Sequence, residues 1–556
     1  GSASFYVYPT PLRPTLTTGK GGAGMSGKRV LAVYAALLLG FAVVLCRLYL
    51  LALHPAYAAR AAAQSTVTLQ LPARRGNFYD AQGQLLTGLE ERWQVVCFPG
   101  QGNYDRLYAC TDAAGQALLY RSRSRAAPFL LEVSCDPARL GLTGYPAARR
   151  YAAVPLCQHL LGYLDGTDHG AAGLEKALDA VLSGTGEHSS LVCAVTAQGT
   201  LRTGETARLL QADSGALGVQ LTISRPVQRA VEAVAASTMT SGCILVLDTA
   251  TAAVRASVSV PCYDPENLAD SLQAENSPFL NRALQSYAVG SVFKPVVAAA
   301  ALEAGESGFV YTCPGWCAVD GRIFRCAGGI PHGEVDLAGA LEKSCNGYFI
   351  RLGQVLGADA VRAMAEKLGF GQAIPLTDAL HTAAGVLPER EALASSGAYA
   401  NFCFGQGELL ASPLQVAAMM NTIACGGICR TPLLLETTLD ETTGAPLTAL
   451  SHVRSRRVLT KCTAAALQTL LAGVVAGGTG HEAAMPGQTA AGKTGTAQTG
   501  QFSGGTELKN YWFAGFVPAE QPRYTIVVLQ DTQAEPAFSS AAIFARVAAG
   551  LEILAP

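Results

Sequence analysis

One stretch of the chain decides the fold: Tyr287-Ala288-Val289-Gly290-Ser291-Val292-Phe293-Lys294-Pro295. Ser291 stands three residues before Lys294, and an apolar run over residues 296–302 predicts that a helix continues from there. Residues three apart on a helix share one face, so the lysine amine is expected beside the serine hydroxyl. A serine is a weak nucleophile without an adjacent base, and a lysine whose charge is suppressed can be that base. The stretch therefore predicts a nucleophilic serine at the start of a helix.

Two further motifs follow in order along the chain. They are Ser344-Cys345-Asn346 and Lys493-Thr494-Gly495-Thr496. A serine-x-x-lysine pair alone is expected by chance about once or twice in a chain of this length. The ordered triple is far more specific, because it is the pattern of active-site-serine enzymes that handle penicillin and D-alanyl peptides. On these three motifs the chain resembles the penicillin-binding proteins.

This resemblance implies roles for the residues of the first two motifs. Ser291 would attack the carbonyl of the penultimate D-alanine of a peptidoglycan stem peptide, and Lys294 would take its proton. Ser344 would relay a proton to the leaving amine. Asn346 would hold the substrate amide and steady Lys294.

The third motif is expected to recognise the substrate. The resemblance implies that Lys493 provides a positive field, while Thr494 and Thr496 hydrogen-bond the substrate carboxylate and Gly495 belongs to the same binding segment. The backbone N–H groups of Ser291 and Thr496 would form the oxyanion hole. No cofactor and no metal is expected.

The 556 residues are too many for one ordinary core, so more than one domain is expected. We predict a tail at residues 1–27, a transmembrane anchor at 28–54, a pedestal domain at 55–218 and a transpeptidase domain at 219–556. Apolar residues 30–46, resuming after Arg47 as far as Leu53, approach the length of about twenty residues that spans a bilayer. The resemblance favours a bacterial cell membrane protein with a single pass, a cytoplasmic N-terminus and an extracytoplasmic catalytic domain.

The predicted fold class is α+β. An amphipathic helix is expected after Pro226, a hairpin over residues 243–258, three strands around residues 493, 512–516 and 524–529, and a closing helix at 541–553. Strands from both ends with helices between them indicate an α/β sandwich with an antiparallel sheet. This pattern resembles the serine β-lactamase-like transpeptidase fold, in which the Lys493 segment is an edge strand facing the serine helix.

A mostly β pedestal is expected before this domain. Arg75-Gly76-Asn77-Phe78-Tyr79-Asp80-Ala81-Gln82-Gly83 reads as a strand entering a turn made by Asp80 and Gly83. This segment resembles the start of the pedestal in class B, monofunctional penicillin-binding proteins. We interpret His159 and Glu175 as structural. Gly405-Gln406-Gly407 and Gly477-Gly478-Thr479 also match the family and are interpreted as mainly fold-specifying.

The charge balance bears on nucleic acid as a partner, and the cysteine content bears on disulfides and metal sites. The 40 basic and 41 acidic side chains nearly balance, so nothing favours nucleic acid as a partner. Among the 16 cysteines, Cys313, Cys317 and Cys326 form a local cluster that is compatible with one disulfide outside the cytoplasm. A zinc site is not expected, because these three have no fourth ligand in register. We expect Cys345 to be a small packed side chain.

The function expected from this resemblance is that of a membrane-anchored peptidoglycan D,D-transpeptidase serving division, elongation or sporulation. Its partners would be stem peptides ending in D-Ala-D-Ala, β-lactams that acylate it, a polytopic membrane glycosyltransferase and other divisome or elongasome proteins. Two alternatives are a β-lactamase or β-lactam sensor on the same fold, and a catalytically silent scaffold of a cell-wall synthesis complex.

Overall fold

A computed structural model describes residues 26–72, 74–98, 104–123, 127–152, 154–196, 207–212, 214–450 and 454–553. Its first helix is α1 (Gly27–Ala52), which none of the rest of the described chain covers. Within these ranges it is the one helix that is long and apolar enough to cross a membrane. This helix covers most of the stretch 28–54, whose role as a transmembrane anchor stays a prediction, and the predicted tail lies outside the described residues except for its last two. Helix α2 (Pro55–Gln64) follows.

The next part of the chain is built from short strands and helices. Strands β3, β4 and β5 form one antiparallel sheet in the order β4-β3-β5, and β1, β6 and β7 form another in the order β1-β6-β7. The elements are β1 (Thr66–Gln70), β2 (Phe78–Tyr79), β3 (Glu90–Cys97), α3 (Tyr104–Ala109), α4 (Ala113–Ser122), β4 (Phe129–Val133), β5 (Gly144–Arg149), α5 (Gln158–Leu161), α6 (Gly173–Ala177), α7 (Asp179–Ser183), β6 (Ser190–Ala194) and β7 (Arg208–Leu210).

The remainder of the chain carries most of the helices. Its elements are β8 (Leu217–Leu221), α8 (Arg225–Thr238), β9 (Gly242–Asp248), β10 (Val254–Val260), α9 (Leu268–Leu272), β11 (Tyr287–Ala288), α10 (Lys294–Ala304), β12 (Tyr311–Cys313), β13 (Trp316–Val319), β14 (Arg322–Arg325), β15 (Gly333–Val335), α11 (Leu337–Glu342), α12 (Asn346–Leu356), α13 (Ala358–Lys367), α14 (Arg390–Leu393), α15 (Ser396–Phe402), β16 (Leu410–Ala411), α16 (Pro413–Ala424), β17 (Ile428–Arg430), β18 (Leu435–Asp440), β19 (Pro446–Ala449), β20 (Ser455–Arg457), α17 (Lys461–Ala476), β21 (Ala491–Ser503), β22 (Thr506–Val517), β23 (Tyr524–Gln533) and α18 (Ser540–Ile553).

A five-stranded antiparallel sheet in the order β10-β9-β23-β22-β21 organises this part. Helices α8 and α18 cover one face, and α10, α12 and α16 belong to the core on the other. Successive strand residues point to opposite faces, so Ile244 packs toward α8 while Leu245 joins the opposite core. The predicted hairpin, the closing helix and the mixed α+β class are confirmed, and the Lys493 segment does lie on an edge strand.

Helix α10 runs through the centre of the larger core. All its residues from Lys294 to Ala301 are buried, which explains why its sequence is apolar on every side. Pro295 stands in its first turn, where the missing N–H costs no helical hydrogen bond. The helix ends at Gly305, whose φ of 77° suits a residue without a Cβ.

One sheet joins the early and late parts of the chain. Strand β8 pairs in parallel with β2 and antiparallel with β18, giving the order β19-β18-β8-β2. Asp80, at the predicted turn after β2, accepts hydrogen bonds from the backbone N–H groups of Gln82 and Gln84 and from that of Arg225, the first residue of α8. The predicted boundary between residues 218 and 219 therefore falls inside β8, and the division into two domains stays a prediction.

A buried ion network holds the segments before this sheet together. The carboxylate of Glu175 is fully buried and accepts hydrogen bonds from Arg75 Nε at 2.8 Å and Arg150 Nε at 2.7 Å. Tyr151 donates a further hydrogen bond to it. Two guanidinium groups that are almost excluded from water thus share the Glu175 carboxylate, and Arg75 Nη1 also pairs with Asp179 Oδ1 at 2.7 Å. This environment suits the structural role that was expected of Glu175.

We predict that Glu175→Gln lowers the free energy of unfolding by about 3–5 kcal/mol, because it removes the charge that balances two buried arginines. Chemical denaturation of the full chain in detergent would measure the change. Glu91→Gln, at an exposed position on β3, is the matched control and should change stability little. Equal stabilities of the two variants would contradict a structural role for the network.

Candidate active site

Ser291 lies on a tight turn that leads into the central helix. The turn is a 3-10 helix over Gly290–Phe293, immediately before α10, and the serine is half-buried there. The N–H of Gly290 donates to the carbonyl oxygen of Gly405 at 2.8 Å. A Cβ on Gly405 would lie 1.9 Å from the carbonyl oxygen of Gly290, so only glycine permits this approach. The serine is thereby held at a fixed position at the start of the helix.

Lys294 is fully buried and its amine is surrounded by the second motif. Its Nζ donates to the carbonyl oxygen of Ser344 at 2.7 Å, to Ser344 Oγ at 3.1 Å and to Asn346 Oδ1 at 2.8 Å. The structure thus brings Lys294 of the first motif into contact with Ser344 and Asn346 of the second, and the catalytic roles assigned to them stay a prediction.

Lys493 approaches the same hydroxyl from the edge strand. Its Nζ, also fully buried, donates to Ser344 Oγ at 3.0 Å and to the carbonyl oxygen and Oγ1 of Thr494 at 3.1 and 3.3 Å. Ser344 Oγ therefore lies between two lysine amines. A hydroxyl can accept from one amine and donate to the other, provided that the second amine is neutral.

Burial suppresses the charge on both amines. It lowers the pKa of Lys294 to about 7. Burial, and then the positive charge of Lys294, hold the pKa of Lys493 well below its ordinary range. Removal from water disfavours the charged form of both amines, and at Lys493 the neighbouring cation disfavours it further. At a pH near 7, part of the Lys294 population is therefore neutral and able to accept a proton.

The backbone around Ser344 is unusual and well supported. Ser344 has a φ of 53°, in the left-handed region, and the next residue, Cys345, caps α12 by accepting the N–H of Tyr348 on its sulfur. Asn346 is the first residue of that helix, and its Nδ2 donates to the carbonyl oxygen of Arg325 at 2.9 Å. Both polar atoms of the Asn346 amide are thus engaged, one by Lys294 and the other by the last residue of β14.

Strand β21 packs directly against the serine turn because Gly495 has no side chain. A Cβ there would lie 2.9 Å from Val292 Cγ1, 3.0 Å from the oxygen of Val289 and 3.1 Å from the nitrogen of Val292. Lys493 and Gly495 are buried, whereas Thr494 is partly exposed and Thr496 exposed, as the alternation along a strand requires. The two threonines therefore share the more open side of the strand.

Two polar contacts to this strand were not assigned to the site from the sequence. Thr479 Oγ1 lies 2.9 Å from Thr494 Oγ1, and Gln406 Nε2 donates to the carbonyl oxygen of Thr496 at 3.3 Å. Both residues belong to stretches that we interpreted as fold-specifying. Their polar side chains beside glycines were the signal that could have pointed to the site.

The structure also corrects the argument against a metal site. Cys317 lies in a separate small cluster, but Cys313 and Cys326 converge with two groups that the sequence argument had not joined to them, His332 and Cys345. The premise that no further ligand accompanies these cysteines was therefore wrong. Within the described ranges no disulfide joins any two cysteines, the predicted disulfide candidates included.

Comparison with known proteins identifies the family. The model of the penicillin-binding protein transpeptidase domain matches residues 242–549, more than half of the chain. The chain belongs to the penicillin-binding protein transpeptidase family. The resemblance predicted from the three motifs is confirmed, and the chain is a peptidoglycan D,D-transpeptidase of this family.

Relatives and solved structures support this assignment. The peptidoglycan D,D-transpeptidase PbpA of Mycolicibacterium smegmatis is 32% identical over 460 residues, which cover 77% of this chain and 84% of the relative. Stage V sporulation protein D of Bacillus subtilis is 29% identical over 69% of this chain and 60% of its own length. The structure of penicillin-binding protein 3 from Mycobacterium tuberculosis, complexed with aztreonam, superposes with a TM-score of 0.64 at 25% identity, covering 88% of this chain and 97% of that one. These matches confirm class B membership and the transpeptidase fold.

We predict that Gly495→Ala destabilises the chain by about 1–3 kcal/mol, because the new methyl group meets the backbone of the serine turn and cannot be accommodated by moving a flexible side chain. Denaturant unfolding would measure this change. Gly308→Ala, where a Cβ meets nothing within 4 Å, is the control. An unfolding midpoint equal to that of the control would mean that the strand and the turn are less tightly apposed.

Proposed function

We propose that the chain is a membrane-anchored transpeptidase that crosslinks peptidoglycan stem peptides through an acyl-enzyme on Ser291 and is itself acylated by β-lactams. The observation that carries this proposal is the hydroxyl of Ser344 hydrogen-bonded to two buried amines, those of Lys294 and Lys493. Such an arrangement offers a proton path between two charge-suppressed bases, one of which, Lys294, follows Ser291 by three residues at the start of the central helix. A core that served only stability would gain nothing from burying two lysines.

In the acylation step, Ser291 Oγ attacks the carbonyl carbon of the penultimate D-alanine. The neutral amine of Lys294 takes the hydroxyl proton as the new C–O bond forms. The bond to the terminal D-alanine then breaks, and its nitrogen needs one proton. Ser344 donates that proton and regains one from the Lys294 ammonium, so that free D-alanine leaves and the lysine returns to its neutral form.

Substrate recognition falls to the edge strand. The terminal carboxylate would meet the hydroxyls of Thr494 and Thr496, which share the open side of β21, with Lys493 immediately behind them. A carboxylate beside Lys493 favours its charged form, so substrate binding would raise the pKa that burial and Lys294 depress. Substrate binding would therefore increase the positive charge that this amine supplies.

The oxyanion hole would be made by the backbone N–H groups of Ser291 and Thr496. The close packing of β21 on the serine turn at Gly495 brings these two segments side by side. Donors fixed in this way stabilise the tetrahedral intermediate, and each is typically worth about a hundredfold or more in rate. An amine from a neighbouring stem peptide would next attack the ester, releasing Ser291 and closing the crosslink.

The same chemistry explains the expected reaction with β-lactams. Their strained amide would acylate Ser291, and the acyl group would block the approach of the acceptor amine. The related structure complexed with aztreonam supports this proposal, as it is a transpeptidase-fold protein with a β-lactam bound.

The proposed location is the bacterial cell membrane, with the N-terminus inside and the catalytic part outside. The apolar helix Gly27–Ala52 supports anchoring, since it is long enough to span the hydrocarbon core. A polytopic glycosyltransferase and other proteins of the division, elongation or sporulation machinery are proposed partners. The proposal of these partners rests on class B membership.

We expect Ser291→Ala to abolish labelling by a fluorescent penicillin, because it removes the only atom that can form the ester. The full chain in detergent should give a persistent one-to-one adduct by intact mass, and the variant none. Ser286→Ala, five residues earlier and likewise half-buried, is the matched serine control and should label normally.

The same experiment separates the alternatives. An adduct that forms and vanishes within seconds would indicate a β-lactamase. Folded wild-type protein that never forms an adduct would indicate a catalytically silent scaffold. Labelling of Ser291→Ala would contradict the assignment of the nucleophile.

We also predict a pH dependence of acylation. The pKa of Lys294 is about 7, so the acylation rate should fall about tenfold per pH unit below that value, where the amine is protonated and cannot accept the serine proton, and level off above it. The other titratable groups around this amine are Lys493 on β21 and the thiols of Cys326 and Cys345.

Stopped-flow acylation over a range of pH, corrected for spontaneous hydrolysis of the β-lactam, would measure this profile. A rate that stays constant between about pH 5.5 and about pH 8.5 would exclude Lys294 as the base.

A further inference from the structure

We infer that Cys313, Cys326, His332 and Cys345 bind one Zn²⁺ ion, and that this ion positions the Ser344–Asn346 motif for catalysis. The four ligand atoms, three Sγ and one imidazole nitrogen, all lie within 4.8 Å of one another. Three of the four residues are buried and the histidine is half-buried. No step of the proposed reaction uses these four side chains.

The distances fit a tetrahedral zinc site. Cys313 Sγ lies 3.7 Å from Cys326 Sγ and 3.6 Å from His332 Nδ1, and Cys326 Sγ lies 3.9 Å from Cys345 Sγ. Zn–S bonds of about 2.3 Å and Zn–N bonds of about 2.0–2.1 Å at tetrahedral angles put neighbouring ligand atoms about 3.6–3.8 Å apart. A disulfide would need the two sulfur atoms at about 2.05 Å.

The backbone around the ligands is also arranged for metal binding. The N–H of Gly315 points at Cys313 Sγ at 3.4 Å, and that of Tyr348 points at Cys345 Sγ at the same distance. Backbone donors to sulfur stabilise thiolates, the form that binds metal. A Cβ on Gly315 would lie 2.3 Å from the oxygen of Gly329, so this glycine lets the Cys313 turn close on the loop that follows Cys326.

The set of ligand atoms favours Zn²⁺ over other cations, and a structural role over a catalytic one. Three thiolates and one imidazole are a common structural set for Zn²⁺, and hard cations such as Mg²⁺ or Ca²⁺ prefer oxygen ligands. Four protein ligands leave no open position for water or substrate, so the ion would not take part in bond making. It would fix the segments that carry its ligands.

Those segments include the catalytic motif itself. Cys345 stands between Ser344, whose hydroxyl joins the two lysines, and Asn346, which holds Lys294. The amide of Asn346 donates to the carbonyl oxygen of Arg325, the residue before ligand Cys326. Lys343 Nζ donates to the carbonyl oxygen of ligand His332. One ion would therefore tie the motif, from both flanks, to the β12–β15 loops.

The first test is the metal content of the wild-type full chain, purified in detergent without chelators. We expect about one zinc per chain by inductively coupled plasma mass spectrometry. Exchange with Co²⁺ should give the intense thiolate-to-cobalt absorption of a tetrahedral site. A zinc-free chain with free thiols, a disulfide between Cys313 and Cys326, or no cobalt–thiolate band would each overturn the site, whether or not any variant folds.

Variants then test the ligands one by one. Cys326→Ser and His332→Ala should lose the zinc, and His332→Cys, which supplies an alternative ligand, should keep it. Cys317→Ser is the matched control, since Cys317 is equally buried in the same region but lies outside the cluster. Loss of zinc in the control, or retention in both ligand-deleting variants, would contradict the assignment.

The positioning role rests on the proposed function and is tested separately by β-lactam acylation. Zinc-free His332→Ala should acylate at least about tenfold more slowly than wild type, as expected when a group that orients a functional residue is lost. The zinc-binding His332→Cys variant should recover most of that loss, which a purely steric role of the imidazole would not allow. A zinc-free chain that acylates at the wild-type rate would overturn the positioning role. A zinc-loaded wild type that never acylates would instead contradict the proposed function.

Discussion

Two buried lysine amines share one serine hydroxyl, and the rest of the catalytic part of the molecule depends on that contact. The residues involved are distant in sequence, since Ser344 lies 50 residues after Lys294 and 149 before Lys493. They come from α10, from the segment before α12 and from edge strand β21. Neither amine would be stable in an apolar core without these partners, because an unpaired buried ammonium costs several kcal/mol. The same burial suppresses their charge and so creates the bases that acyl transfer needs.

Close approach of backbone to backbone makes this convergence possible. Glycines at 405 and 495 remove the side chains that would keep the serine turn away from its neighbours. The helix behind the turn is apolar on all sides, so the turn rests on a packed core rather than on a mobile loop. On the remaining flank, the segment from residue 313 to residue 345 gathers three thiols and an imidazole around the second motif. Rigidity at the site therefore comes from packing, from backbone contact and from the proposed ion together.

Prediction from the sequence succeeded where a pattern was local. The expected bounds of the central helix, the β9–β10 hairpin and the terminal helix agree with the structure to within a few residues, and β21 lies at the edge of the sheet as expected. Periodicity and turn residues determine such elements. The sequence was less informative about which strands pair when the strands are distant along the chain. Strand β8 pairs with strands near residues 78 and 437, and no local sequence pattern predicts those partners. The buried carboxylate of Glu175 was interpreted as structural, but its two arginine partners could not be named.

By itself the sequence determined the family, the order of the three motifs and the residue types that carry the chemistry, because reactive groups and their spacing along a helix or strand are local properties. Only the tertiary structure decided that Ser344 lies between both amines, since a shared hydrogen bond needs three distant segments in register. The same holds for the four metal-ligand groups. Cys345 is hidden inside a catalytic motif and His332 lies on a separate loop, so their convergence with Cys313 and Cys326 follows from how the loops close on one another.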